Sequence, residues 1–244
     1  MTIGRLTSRA VVRVSPQDES EDAAAFLQGL LTNDVTGNLP TYAALLTPQG
    51  KTMFDMLVWR DGEDILLDCE AEHAVELAKR LSLYRLRRKI EIGVDSSLGI
   101  FWSDSAADGF TTDPRLSSLG FRRISTVSPK DNSVDDSYLA HRLSLGVAEG
   151  HAELSDILWL ETNAVELNGV SFDKGCYIGQ ENTARMNWRQ KINRRLVVVP
   201  LDQSQEKRRK AEYPAQGLAI DHLRVDDIPV DLVPGWMRLQ AASD

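Results

Sequence analysis

Cysteine is nearly absent from this chain: Cys69 and Cys176 are the only two in 244 residues, with no CxxC and no Cys/His ligand spacing. That excludes a disulfide framework and a metal site built from this chain's cysteines alone, so a cluster would need ligands from a partner, a second subunit or a small ligand. No apolar run approaches the roughly 20 residues of a membrane span, and Met1 to Arg9 holds no apolar signal core. Positive charge is in deficit, 28 Lys and Arg against 36 Asp and Glu for a net −8, which argues against nucleic-acid and membrane-surface partners. These absences together predict a cytoplasmic protein. The four histidines, His73, His141, His151 and His222, are scattered and read as surface or helix-packing residues.

What is present suits a packed core: 42% of the residues are hydrophobic, and the length allows one large domain or two smaller ones. Arg9 to Val14 reads as a strand, and Ala23, Phe26, Leu27, Leu30 and Leu31 keep helical spacing up to Thr32-Asn33-Asp34. Tyr42 to Thr47 and Thr52 to Arg60 are apolar runs flanking Pro48-Gln49-Gly50, the composition of a hairpin turn, and Asp61-Gly62 leads to a third strand at Ile65. Ala74, Leu77, Ala78 and Leu81 mark a second helix, followed by a strand over Lys89 to Val94. Further strands are expected at Leu98 to Trp102 and Gly120 to Thr126, joined by a polar loop, Ser103 to Ser118. A helix carrying Leu139, Leu143 and Leu145 and a strand at Val197-Val198-Val199 complete an α+β pattern. Glu206 to Lys210 reads as a solvated loop.

Alternation over Thr52 to Arg60 places Asp55 on a strand that is apolar on both faces, so its carboxylate must be paired or hydrogen-bonded, either structurally or at a site. Arg80, Arg85, Arg87, Arg88 and Lys89 concentrate positive charge; a solvated face is the simplest account, with Arg87 the candidate for an anionic ligand tail. Glu161 lies among apolar neighbours, where it either stabilises a helix N-terminus or accepts the paired donors of an amino-pyrimidine.

The densest chemistry is in Lys174-Gly175-Cys176-Tyr177-Ile178-Gly179-Gln180-Glu181. Glycines on both sides free the backbone around the thiol, while Lys174 and a helix starting near Gly179 would favour the thiolate. Glu181 and Arg185, four apart on that helix, are spaced to pair. The run resembles the signature of the YgfZ family, folate-binding proteins of iron–sulfur cluster assembly and repair related to the glycine cleavage T-protein. Phe26 to Gly29, Thr32 to Val35, Leu46 to Lys51 with Phe54-Asp55, and Tyr84 to Arg87 extend the resemblance over residues 20–200.

The resemblance implies a T-protein-like core with ferredoxin-like parts around a central cavity, spanning residues 1–193, and a small, reduced C-terminal β-barrel over 194–244. It implies tetrahydrofolate as cofactor, iron–sulfur client or assembly proteins as partners, and Cys176 with Lys174 as the reactive pair. Ligand contacts carried over are Asp55, Glu161, Asn33, Arg87, Tyr177, Gln180, Glu181 and Arg185. The related aminomethyltransferases carry two aspartates where Phe54-Asp55 stands, and the family often has Pro at Trp159. The single remaining carboxylate and Cys176 oppose aminomethyl transfer, so a folate-binding accessory protein is the first reading. A folate-dependent one-carbon transferase, favoured by Asp55, is the alternative, and a client-docking module without folate the plainest reading.

Overall fold

A computed structural model describes residues 1–189 and 192–239. In chain order the elements are β1 (Ile3–Leu6), β2 (Arg9–Pro16), α1 (Ala23–Gln28), β3 (Thr41–Leu46), β4 (Thr52–Asp61), β5 (Asp64–Glu70), α2 (Ala74–Arg85) and β6 (Ile90–Val94). There follow β7 (Leu98–Ser103), β8 (Thr111–Thr112), β9 (Phe121–Thr126), α3 (Asp135–Ser144), α4 (His151–Leu154) and α5 (Gln180–Arg189). The C-terminal strands are β10 (Arg194–Pro200), β11 (Arg209–Tyr213) and β12 (Leu218–Arg224).

Three antiparallel sheets result, ordered β3-β4-β5-β2-β6, β1-β7-β9-β8 and β10-β12-β11. Period-two alternation sorts the faces of the first sheet. Phe54, Met56 and Val58 pack with Leu27 of α1 and Leu77 and Leu81 of α2. Leu57 turns to the opposite face, among Trp159, Leu160 and Leu167. Val11 and Leu66 on that same face meet Leu6, Ile100 and Trp102 of the second sheet. Leu196 and Ile220 of the third sheet bury into the cluster around Trp159, so the C-terminal strands share the central core.

Several expectations change. α1 ends at Gln28 with Gly29 as C-cap rather than running to Thr32, although Leu30 and Leu31 remain buried; helical spacing reported burial there, not helix. β1 and β8 are short strands that alternation missed. Ser103 to Ser118, expected as a polar loop, carries the short strand β8 and buries Asp113 and Arg115. Glu206 to Lys210 is only partly loop, since β11 begins at Arg209. The C-terminal strands, by contrast, agree with the reduced barrel expected there: among the described residues they form an open three-stranded sheet.

Candidate functional site

The turn between β3 and β4 and the loop before α5 form one unit. Gly50 and Gly179 both hold left-handed backbone, φ +78 and +81, and face each other so closely that a Cβ on Gly179 would stand 2.6 Å from Thr47 O and 3.0 Å from Gly50 Cα. A Cβ on Gly50 would stand 3.2 Å from Gly179 O and 3.1 Å from Asn182 Cβ. Only glycine combines that conformation with that approach. Asn182 Nδ2 donates to Gln49 O at 2.8 Å and locks α5 to the same turn.

The other end of the loop is anchored by Lys174. Its Nζ donates to Gln28 O at 2.6 Å, a carbonyl at the end of α1 without a helical partner, and to Leu31 O just beyond the helix. The same ammonium stands 5.0 Å over the Tyr177 ring. Burial pulls Lys174 down to about 8, with Asp34 acting in the opposite sense. Lys174 thus holds the loop to α1, and Tyr177 is buried beneath it.

Between the two anchors Gly175 and Cys176 face solvent, and nothing lies within 4 Å of where a Gly175 Cβ would be. Cys69 is the opposite case: on β5 it is 3% exposed, its Sγ is 3.7 Å from Ala10 O, and burial pushes its thiol up to about 12. Gln180 is half-buried, while Glu181 and Arg185 are exposed, and no ion pair joins those two among the described residues.

Asp55 is 5% exposed and accepts a 3.2 Å hydrogen bond from the Tyr42 hydroxyl. Burial raises its carboxyl to about 6 against the pull of Arg9 and Arg115. The recess it lines with Met53, Cys69, Glu70, His73 and His151 holds about 10 Å³, room for about one water. The His73 and His151 rings, both lining it, pack against each other with centroids 4.2 Å apart and planes tilted by 37°.

The other expected ligand contacts do not converge on Asp55. Asn33 Nδ2 donates to Thr41 Oγ1, Tyr42 O and Asn168 O, at 3.0, 2.9 and 2.7 Å, so its amide is occupied within the fold. Glu161 Oε2 lies 3.0 Å from His222 Nε2 of β12, an ion pair when the imidazole is protonated, though not aligned as a hydrogen bond. Arg87 is exposed in the turn after α2. Its neighbours are neutralised: Arg88 pairs with Glu21 at 2.8 Å and Lys89 with Asp18 at 2.7 Å.

Beside Asp55 lies a buried ionic network that local pattern could not reveal. Arg9 Nε meets Asp68 at 2.6 Å, and Arg122 reaches Asp68 at 2.9 Å and Asp113 at 3.1 Å. Arg115 joins Asp113 at 2.7 Å and Glu149 at 2.5 Å, and the Tyr138 hydroxyl donates to Glu149 at 2.6 Å. Burial opposes ionisation of Glu149, but Arg115, Arg9 and Arg122 prevail and hold it well below the usual range. Asp113 is likewise held down by Arg115 and Arg122. Arg115 also sits 5.4 Å from the Tyr42 ring centre, which ties the network to Asp55.

No family model matches the chain. It is 31% identical to the mitochondrial iron–sulfur cluster assembly factor IBA57 homolog of Pyricularia oryzae, over 87% of this chain and 61% of the relative. Identity is 32% with mitochondrial IBA57 of Mus musculus, over 82% and 66%, and 33% with that of Homo sapiens, over 80% and 65%. The chain therefore spans between 61% and 66% of these relatives' own length. In structure it shares the fold of the glycine cleavage system aminomethyltransferase T of Bartonella henselae, with a TM-score of 0.62 and 10% identity over 92% of this chain and 78% of that one. The T-protein-like α+β expectation holds. The cytoplasmic expectation is overturned, since these relatives are mitochondrial factors.

Proposed function

We propose that this chain acts in iron–sulfur cluster assembly as a maturation factor of the YgfZ-like kind, with Cys176 as its working thiol and a cluster-carrying assembly or client protein as its partner. The observation that carries the reading is an exposed cysteine on a loop fixed at both ends, by Lys174 on α1 and by the Gly179 contact with Gly50. Among the described residues no group of three His, Cys, Asp or Glu side chains is placed to hold a metal ion. A cluster takes several thiolates, so one exposed cysteine can hold it only together with ligands from elsewhere, here taken to come from the partner protein. The cluster is cargo in this reading. The division into a core over 1–193 and a C-terminal unit from 194 belongs to the same proposal, as do Gln180, Glu181 and Arg185 of α5 as the face beside the thiol. The test is depletion of the protein in its own cells: activities of iron–sulfur enzymes should fall while cluster-free enzymes hold, and unchanged activities would overturn the role.

A second reading, tetrahydrofolate held at Asp55, is favoured by a buried carboxyl whose pKa burial raises to about 6, in a T-protein-like fold. The residues around Asp55 do not fit a pterin, because the recess of about 10 Å³ is far below the roughly 300 Å³ of ordinary ligand pockets. Folate binding, and one-carbon transfer with it, would require this recess to open. Calorimetric titration of tetrahydrofolate into wild-type protein and Asp55→Asn decides between them: heat lost in the variant supports folate, and no heat in either removes it.

A further inference from the structure

A second cleft lies away from Asp55 and from the Cys176 loop, between Val165 to Asn168, the last turn of α5, the start of β10 and the C-terminal segment. It encloses about 420 Å³, within the roughly 300–1,000 Å³ range of small-molecule sites. One wall is the Trp236 indole, fixed because its Nε1 donates to Leu145 O at 2.7 Å. Pro234 packs so tightly on Gly146, φ +74, that a Cβ there would stand 2.5 Å from the proline ring, which straps this segment down. Val165 and Ile192 add apolar surface, and Asn187 adds an amide.

The charges of the cleft are unequal. Glu166, its carboxylate, is neutralised by a two-point pair with Arg195, at 2.9 and 3.1 Å. Arg195 is 3% exposed and its Nε has no acceptor among the described residues, a donor that costs free energy until something accepts from it. Arg238 is exposed on the rim and has no ion pair among the described residues. The cleft therefore combines a rigid flat wall with a guanidinium that has no ion pair among the described residues, the pairing that selects a planar ring carrying a negative group.

We propose that this cleft binds a small organic anion with a flat ring, the ring against Trp236 and the anionic group at Arg238. A single guanidinium suits one carboxylate or one monophosphate, so the ligand is an aromatic carboxylate or a nucleoside monophosphate. The inference stands apart from the Cys176 reading, since no residue is shared.

The full chain is titrated with AMP, benzoate and adenosine, followed by saturation-transfer NMR and tryptophan fluorescence. At least one charged probe should bind, with adenosine about tenfold weaker than AMP if the phosphate is the anchor. Arg238→Gln should weaken the charged probe about tenfold without shifting the melting temperature, because Arg238 is exposed. Trp236→Phe should keep binding but abolish the fluorescence change, and Asp55→Asn should change neither. Whichever charged probe binds more tightly names the anionic group. Silence from both charged probes, or binding indifferent to Arg238→Gln, overturns the proposal.

Discussion

Replacing Gly179 with alanine isolates the contact on which the Cys176 loop depends. The new Cβ meets Thr47 O at 2.6 Å, Gly50 Cα at 3.0 Å and Leu46 Cβ at 3.1 Å, and two of these are backbone atoms of the β3–β4 turn that cannot rotate away. The left-handed backbone adds strain of about 1–2 kcal/mol for a residue bearing a Cβ. Overpacking adds about 1–3 kcal/mol, so the expected loss is about 2–5 kcal/mol, a large part of the roughly 5–15 kcal/mol of a folded domain. Gly175→Ala is the internal control, since nothing lies within 4 Å of its Cβ and its cost should stay within about 0.5 kcal/mol. Urea unfolding of both variants measures the difference, and the alkylation rate of Cys176 reports whether the loop has detached locally. Equal stability of the two variants with an unchanged Cys176 rate would refute the idea that the glycine pair clamps the loop.

At neutral pH Cys176 should react with iodoacetamide much faster than Cys69, which is 3% exposed with its thiol pushed up to about 12; equal rates in a time course followed by mass spectrometry would contradict that. Asp55 has a folded pKa near 6 against an unfolded value near 4, so the stability it contributes is present below about pH 4 and is lost as pH rises through 6. The loss approaches about 3 kcal/mol, and Asp55→Asn should flatten that part of the stability-against-pH curve; a variant curve parallel to wild type would show the carboxyl is not so perturbed. Arg122→Leu leaves Asp68 and Asp113 each short of a partner in the interior, a loss of about 3–5 kcal/mol by urea unfolding; a loss under 1 kcal/mol would mean the network carries little.

The sequence made the first sheet readable because alternation over Thr52 to Arg60 and the Pro-Gly turn before it are local signals. The burial of Asp55 followed from the same alternation, and Gly179 stood out within the signature. That Gly179 needs Gly50 as its counterpart could not be seen, because the contact joins distant segments. The Asp113 and Arg115 pair read as part of a polar loop for a related reason: their partners Arg122, Tyr138 and Glu149 come from β9, α3 and the segment before α4. Charge in a loop signals solvent only when no opposite charge arrives from elsewhere. Lys174 illustrates the reverse error, since proximity in sequence suggested a role on the Cys176 thiol while its ammonium is committed to the carbonyls of Gln28 and Leu31. Glu161 turned to His222 because β12, far along the chain, supplies the imidazole.

The central claim, that the exposed thiol is the working group, is tested most directly by restoring cells that lack this protein with wild type, Cys176→Ser or Cys69→Ala at matched protein levels and assaying iron–sulfur enzymes. Wild type and Cys69→Ala should restore activity, and Cys176→Ser, folded to the same melting temperature, should not. Full restoration by Cys176→Ser would contradict the account.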